Sequence, residues 1–266
     1  MPKPVILMRN CLAEEGELQV SKRYFNVISL RSQIQIDDFV IPRYSSLPYH
    51  SELEADVILQ GGKLINNTIQ HNWIANFQWY WRVPELRELT PKTWHEDEFY
   101  KAPEGEYVVK GKTNSRKENW QEHMYAGTKR QAVRIGSELY RDSLIGSQGI
   151  IYREYTPLKT FEIGINGIRF TNEHRFFILD GEIVDYGYYW SNAENTDIVI
   201  SDEGKNFAKK VIDIIGKMPR FYVIDVAERL DGTWTLIEIN DACMSGLSCI
   251  SPESFYKNLS TALKAT

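Results

Sequence analysis

Phe221-Tyr222-Val223-Ile224-Asp225-Val226 and Trp234-Thr235-Leu236-Ile237-Glu238-Ile239-Asn240, joined through Asp231-Gly232, decide how this chain is read. Asp-Gly between two apolar, β-branched runs marks a two-residue hairpin turn, because a type I′ turn needs positive φ at both central positions. With Asp231 and Gly232 in those positions, Leu230 faces Thr233, and counting back along both strands sets Asp225 opposite Glu238. Side chains alternate along a strand, so Asn240 shares the face of the two carboxylates while Ile237 and Ile239 point away. Opposed Cβ atoms lie about 4.5–5.5 Å apart. Carboxylates at roughly that range repel by up to about 3–4 kcal/mol at an effective dielectric near 20. Water or a cation must separate them. A hard divalent cation, bound by oxygen and shared with substrate phosphates, suits Asp225, Glu238 and Asn240, and this favours magnesium with a nucleotide. The competing reading is a pair of solvated carboxylates on an open sheet face, with the register shifted by a bulge near Ala227-Glu228.

Composition narrows the classes. The 266 residues are 42% hydrophobic and 25% charged, a globular balance with enough length for a large core or two lobes. A net charge of −5 argues against a general nucleic-acid binder. Cys11, Cys243 and Cys249 lack metal-ligand spacing, and an odd count suits a reducing compartment. The apolar start Met1–Met8 breaks at Arg9-Asn10, too short for a signal-peptide core, and no apolar run reaches about 18 residues. A soluble, cytoplasmic protein with no membrane partner is expected.

Two lobes are expected, 1–90 and 91–266. In the first, Val5–Met8 reads as a strand, Val20–Ile28 is ambiguous, Val40-Ile41-Pro42 is extended, and Gly61-Gly62 marks a turn after Asp56–Leu59. His71–Phe77 lies near a helix, and Thr90-Pro91 resembles a capped helix start. The second lobe is strand-rich, with strands at Glu106–Lys110, Gly149–Tyr155, Phe161–Ile165, Arg175–Leu179 and Ile183–Tyr189 and a second Asp-Gly turn at Asp180-Gly181. Glu203–Ile215 is an amphipathic helix with Phe207, Val211, Ile214 and Ile215 inward, and Ser251-Pro252-Glu253 opens a terminal helix. The fold class is α+β, antiparallel sheets with flanking helices, not a doubly wound parallel sheet.

Three further constellations accompany the hairpin. Glu106–Lys110 ends in a lysine and runs into the basic, hydroxyl-rich Gly111-Lys112-Thr113-Asn114-Ser115-Arg116-Lys117, which offers point charges and backbone donors to phosphates. No P-loop and no G-x-G-x-x-G occurs. Tyr152-Arg153-Glu154-Tyr155 closes a strand before Pro157 and can present one carboxylate and backbone groups to a base edge. Arg175 heads an apolar strand, where a guanidinium meets either a carboxylate such as Glu173 or Glu154, or a phosphate.

This order (lysine-ending strand, loop, Arg-Glu-Tyr hinge, Glu173-His174-Arg175 strand, Asp225 strand, then Glu238-Ile239-Asn240 13 residues on) resembles the ATP-grasp superfamily. Pro42–Tyr49 and Thr90–Trp94 add a likeness to an uncharacterised, phage- or prophage-associated clade of it, which would place the chain in a host cytoplasm. The resemblance implies an ATP-grasp domain over 91–266 preceded by a smaller α/β lobe. It implies that Lys110, with Lys112, holds nucleotide phosphate, that Tyr152, Arg153, Glu154 and Tyr155 form the adenine hinge, and that Glu162 is a ribose candidate. Arg175 would meet the γ-phosphate or an acyl phosphate, and Asp225, Glu238 and Asn240 would ligate Mg²⁺. The chain departs from the pattern in having only Gly111 of a glycine-rich loop, Lys92 as its candidate second lysine, and Val223 where many peptide ligases carry arginine. The implied activity is an ATP- and Mg²⁺-dependent, ADP-forming ligase that joins a carboxylate to an amine or thiol through an acyl phosphate. Arg175 and Lys110 would be its catalytic groups and a peptide, amino acid or modified small molecule its substrate. The rivals are a nucleotide-binding regulatory protein and a kinase or nucleotidyl transferase on the same fold. Such catalysis needs no side-chain nucleophile, so His50, His71, His95, His123 and His174 are read as structural or substrate-contacting. Arg43, Tyr44, His50 and the Trp73–Trp81 aromatics are expected to shape the substrate pocket.

Overall fold

The computed structural model describes residues 3–9 and 15–265; Met1-Pro2, the Asn10 break and Cys11 lie outside them. Strands β1 (Lys3–Leu7), β2 (Asn26–Ile28), β3 (Asp38–Pro42) and β4 (Lys63–Leu64) form a parallel sheet ordered β2-β1-β3-β4. Parallel strands are buried on both faces, which is why they read as continuous apolar runs. Val5, Leu7 and Val40 pack on Leu53 and Val57, whereas Ile6 and Ile41 join Phe177, Phe255 and Leu259. The ambiguous Val20–Ile28 stretch divides between the end of α1 (Glu15–Ser21) and β2. Helix α2 (His50–Leu59) stops before Gly61, whose φ of 82° is open to glycine at little cost.

Helices α3 (Thr68–Ala75), α4 (Gln78–Arg82) and α5 (Pro84–Glu88) follow. Asn67 caps α3, accepting from the Gln70 N–H while the Gln70 side chain accepts from the Asn67 N–H. The aromatics of this segment are core: Trp73, Trp79 and Tyr80 pack in one cluster with Ile224 and Leu236.

A small antiparallel sheet, ordered β5-β8-β6-β7, comprises β5 (Thr93–His95), β6 (Tyr107–Gly111), β7 (Tyr125–Ala126) and β8 (Ile150–Glu154). Thr90-Pro91 therefore leads into a strand, not a helix. The Thr90 hydroxyl donates to the Leu236 carbonyl at 2.7 Å and accepts from Arg153 Nη2 at 2.6 Å, so it caps nothing. Helix α6 (Trp120–His123) precedes α7 (Lys129–Tyr140), a segment the sequence reading leaves unassigned; α7 lays Ala132, Ile135 and Leu139 on the small sheet.

A ribbon of β9 (Thr160–Ile163) and β10 (Arg169–Thr171) leads to the large antiparallel sheet β12-β11-β13-β14, made of β11 (Glu173–Leu179), β12 (Glu182–Tyr188), β13 (Phe221–Glu228) and β14 (Trp234–Asp241). Helix α8 (Asp202–Ile215) covers one face through Ala208, Val211, Ile212 and Ile215, with Phe207 and Ile214 partly buried beside them; α9 (Pro252–Ala265) packs on the other. Among the described residues, no helix is long and apolar enough to cross a membrane.

The two Asp-Gly turns differ. Asp180 and Gly181 have φ of 52° and 88° between paired Leu179 and Glu182, the two-residue turn expected. At the second, only Gly232 has positive φ (83°), Arg229 N–H donates to Thr233 C=O, and Leu230, Asp231 and Gly232 form a three-residue loop. Leu230 thus does not face Thr233. Ile237 then bulges out of β14, since Val226 pairs with Leu236 but Asp225 with Glu238. One extra residue on each side of the register cancels, and the two carboxylates face each other as expected.

Candidate active site

Asp225 occupies the middle of the large sheet, with Arg175 opposite it on β11 and Glu238 opposite it on β14. All three are buried. Repulsion between the carboxylates is relieved by side-chain cations. Arg175 donates from Nε to Asp225 Oδ1 at 2.9 Å and from Nη2 to Oδ2 at 2.8 Å, and its Nη1 donates to Gly246 C=O at 2.9 Å. Its carboxylate partner is Asp225, not Glu173 or Glu154, because register puts Asp225 directly across the strand. Lys110, the penultimate residue of β6, donates to Glu238 Oε1, and Asn240 Nδ2 donates to Glu238 Oε2 at 2.9 Å. Burial lowers Lys110 even with Glu238 beside it. Burial also opposes ionisation of Glu238, but Lys110 and Lys117 together hold it well below the usual carboxylate range.

Lys117 closes the basic loop, where the sequence does not distinguish it from its neighbours, and it is the loop's cation in the cleft. Its Nζ donates to the Tyr189 hydroxyl and lies 4.2 Å from that ring's centroid. Burial works against its charge, yet Tyr189, Glu238 and Glu173 raise it. Glu173 is also buried, and its Oε1 has no partner among the described residues; Oε2 accepts from Thr171 Oγ1 at 3.3 Å. Burial pushes Glu173 up to about 7 against the pull of Lys117, with Asp225 and Glu238 adding to the rise. Its sequence signal is the acid two places before Arg175.

These charges stand where two cavities meet. One, about 830 Å³ counted to its open mouth, lies between the two antiparallel sheets and is walled by Trp120, Met124, Tyr155, Leu158, Ile168 and Trp190. The other, about 1030 Å³ on the same count, runs toward the N-terminal lobe and is lined by Ser45, Thr113, Ser115, Arg175, Asn240 and Ser245 among others. Lys117 and Glu238 line both. The first cavity suits a flat apolar group and the second a charged, polar one.

The hinge residues divide. Glu154 and Tyr155 line the apolar cavity, as does Arg153. Arg153 is a tie between sheets, donating to the Ile237 carbonyl at 2.5 Å as well as to Thr90. The Ile237 bulge is what leaves that carbonyl free for it. Tyr152 turns the other way, stacking on Phe99 at 3.9 Å within the small sheet's core. Alternation along β8 sets Tyr152 opposite its neighbour Arg153. Lys112 lines neither cavity and packs beside Gly149. Glu162, on the β9–β10 ribbon, accepts from the Glu194 N–H and is likewise outside both, and Lys92 lies over Trp94. From the N-terminal lobe, Ser45, Leu47, His71, Ile74 and Ala75 line the polar cavity. Arg43 and Tyr44 do not; Arg43 is buried in an ion pair with Glu17 and bonded to the Ala242 carbonyl.

Comparison with known proteins agrees with this architecture. D-alanyl-alanine synthetase A from Vibrio cholerae superposes with a TM-score of 0.62 at 13% identity, over 100% of this chain and 99% of that one. D-cycloserine synthetase DcsG gives 0.60 at 12% identity over 98% and 99%. ATP-grasp ligase PsnB, complexed with minimal precursor, Mg and ADP, gives 0.54 at 12% over 98% and 97%. No curated protein matches the chain by sequence. The fold shared with these structures is the ATP-grasp fold, and residues 97–259 match the model of an ATP-grasp domain family (family 3 of its clade), so the chain belongs to that family.

Proposed function

We propose that this protein is an ATP- and Mg²⁺-dependent ligase that joins a carboxylate to an amine or thiol through an acyl phosphate, forming ADP. The observation that carries the reading is the meeting of an apolar and a polar cavity at Glu238 and Lys117, with Lys110, Arg175, Asp225 and Asn240 around the junction. The residues fit the groups this requires. Asp225, Glu238 and Asn240 are the hard oxygen donors magnesium prefers, and the unpartnered Glu173 oxygen leaves acceptor capacity facing the nucleotide cavity. Bound there, magnesium supplies Lewis-acid neutralisation of phosphate charge. Glu154 and Tyr155 would hold the adenine end, and Lys110 and Lys117 the phosphates. Arg175 would offset charge on the transferring phosphoryl group and on the oxyanion that forms afterwards. Lys112, Glu162 and the Tyr152 side chain take no part in this arrangement.

The relatives named for D-alanyl-alanine and for a precursor peptide make amino acids and peptides the first acceptors to screen. The test is a coupled ADP-release screen over amino acids, peptides and other carboxylates, comparing wild type with Glu238→Gln. Substrate-dependent ADP release is expected in wild type and a fall of at least about a hundredfold in the variant. AMP, or a phosphorylated product without ligation, would assign a transferase instead. No substrate-dependent turnover at all would remove the reading.

A further inference from the structure

His71 and Asp241, which line the polar cavity, and His50, stacked on His71, are buried and have no part in the chemistry above. His71, on α3, puts Nδ1 2.9 Å from Asp241 Oδ2. The other Asp241 oxygen accepts from Asn66 Nδ2 at 3.1 Å and from the Cys243 backbone N–H at 2.9 Å. Asp241 is an acceptor toward its other partners, so Nδ1 is the nitrogen that donates to it, which leaves Nε2 as the acceptor of the neutral imidazole. His71 also lines the cavity shared by Lys117, Arg175 and Glu238.

His50 lies face to face on His71, with ring centroids 3.9 Å apart and planes 7° apart. Burial, then the neighbouring His71, push His50 down to about 4, so it is uncharged near neutral pH and does not repel a proton arriving on His71. The trio's ligand atoms fall within 4.8 Å of one another, a spacing that invites a metal reading. Stacked rings direct their in-plane lone pairs along separate lines, however. The geometry is that of a carboxylate orienting an imidazole.

We propose that His71 is the general base of the ligation step, with Asp241 as its positioning residue and His50 as the surface that fixes its ring plane. This rests on the ligase reading. The lone pair of the attacking amine forms the C–N bond to the acyl carbon. The C–O bond to phosphate breaks, and its electron pair leaves on the phosphate. One proton of the attacking nitrogen passes to His71 Nε2, and the resulting imidazolium is stabilised by Asp241.

The test compares two nucleophiles on the full-length protein with MgATP and a mixture of amino acids and short peptides as carboxylate donors. In one arm the same mixture supplies the amine. In the other, hydroxylamine traps the acyl phosphate, needing no base because it is largely uncharged at neutral pH. His71→Asn keeps an N–H facing Asp241 and removes the base. Amine-dependent ADP release should fall about 10²–10⁴-fold, with hydroxamate formation changed by less than about threefold. Should His71→Asn fail to fold, Asp241→Asn gives the same split, since an amide facing Nδ1 favours the wrong tautomer. A parallel loss in both arms would make His71 structural, and no loss in either would remove its role. A wild type that releases no ADP with either nucleophile fails the ligase reading itself, and the role of His71 with it.

Discussion

The two cavities that meet at Glu238 and Lys117 are built from different matter. The one between the antiparallel sheets has aromatic and aliphatic walls from α6, β9–β10 and the segment following β12, with buried charge where it meets Glu238 and Lys117 and the exposed Glu154 and Arg169 also on its lining. The other combines hydroxyls, amides and charged groups with Leu47, Ile74, Ala75 and Met244. Both draw on one hairpin, which presents Glu238 to the junction and Asn240 to the polar side. The contrast shows how one strand pair can border two unlike chambers: the sheets enclose an apolar slot, and Ser45, Leu47, His71, Ile74 and Ala75 close a polar chamber beside Glu238 and Asn240.

The largest effect expected from breaking this arrangement is at Arg175. Its bidentate pair with Asp225 is buried, so Arg175→Met leaves a fully buried carboxylate without its guanidinium. Denaturant unfolding should show a loss of about 3–5 kcal/mol. A loss under about 1 kcal/mol would mean that the junction does not depend on this pair.

Glu173 sharpens the comparison from the apolar side. Its carboxyl rises from 4.5 to about 7, so between those values the native protein keeps a proton that the unfolded chain releases. Its contribution to stability is full below the unfolded value and is lost as pH rises through about 7. Buried His50 and His174, both lowered to about 4 chiefly by burial, pull the other way between about 4 and 6.5. The informative quantity is therefore a difference. Glu173→Gln should gain on wild type by about 3 kcal/mol between about pH 4.5 and 7.5. A flat difference across that range would contradict the raised carboxyl.

The smallest effects separate Tyr152, on β8, from Tyr155, just past its end. Tyr155 walls the apolar cavity and Tyr152 faces the core, so Tyr155→Ala should weaken ADP binding by about 1 kcal/mol. Tyr152→Phe should leave it within about twofold. Calorimetric titration of both variants distinguishes the cavity-facing tyrosine from the core-facing one.

Much of this is legible in the sequence because the deciding features are local. Period-two alternation and an Asp-Gly turn bring the carboxylates face to face, although the turn is one residue longer than its dipeptide suggests and the Ile237 bulge restores the register. Two errors cancel there, and nothing in the sequence announces a bulge whose effect is to free a carbonyl for Arg153. Thr90-Pro91 misleads for a related reason: its hydroxyl serves a strand carbonyl and an arginine distant in sequence, and capping rules see only neighbours. In the basic loop, Lys112 and Lys117 are equivalent as letters; which one enters the cleft is decided by the path of the loop and the ring of Tyr189. The aromatics of Trp73–Trp81 go to the core because burying large side chains is their commonest use, whatever pocket lies near. The pairing of Asp241 with His71 is out of reach altogether, since it joins the last residue of a strand to a helix 170 positions away.

The most direct test is binding of a non-hydrolysable ATP analogue, measured by calorimetry with and without Mg²⁺, in wild type and Glu238→Gln. Wild type should bind one equivalent with affinity that improves at least about tenfold with Mg²⁺, and Glu238→Gln should lose that improvement. Binding in wild type that ignores Mg²⁺, or a Mg²⁺ effect that survives Glu238→Gln, would contradict the claim that the facing carboxylates are where the two ligands meet.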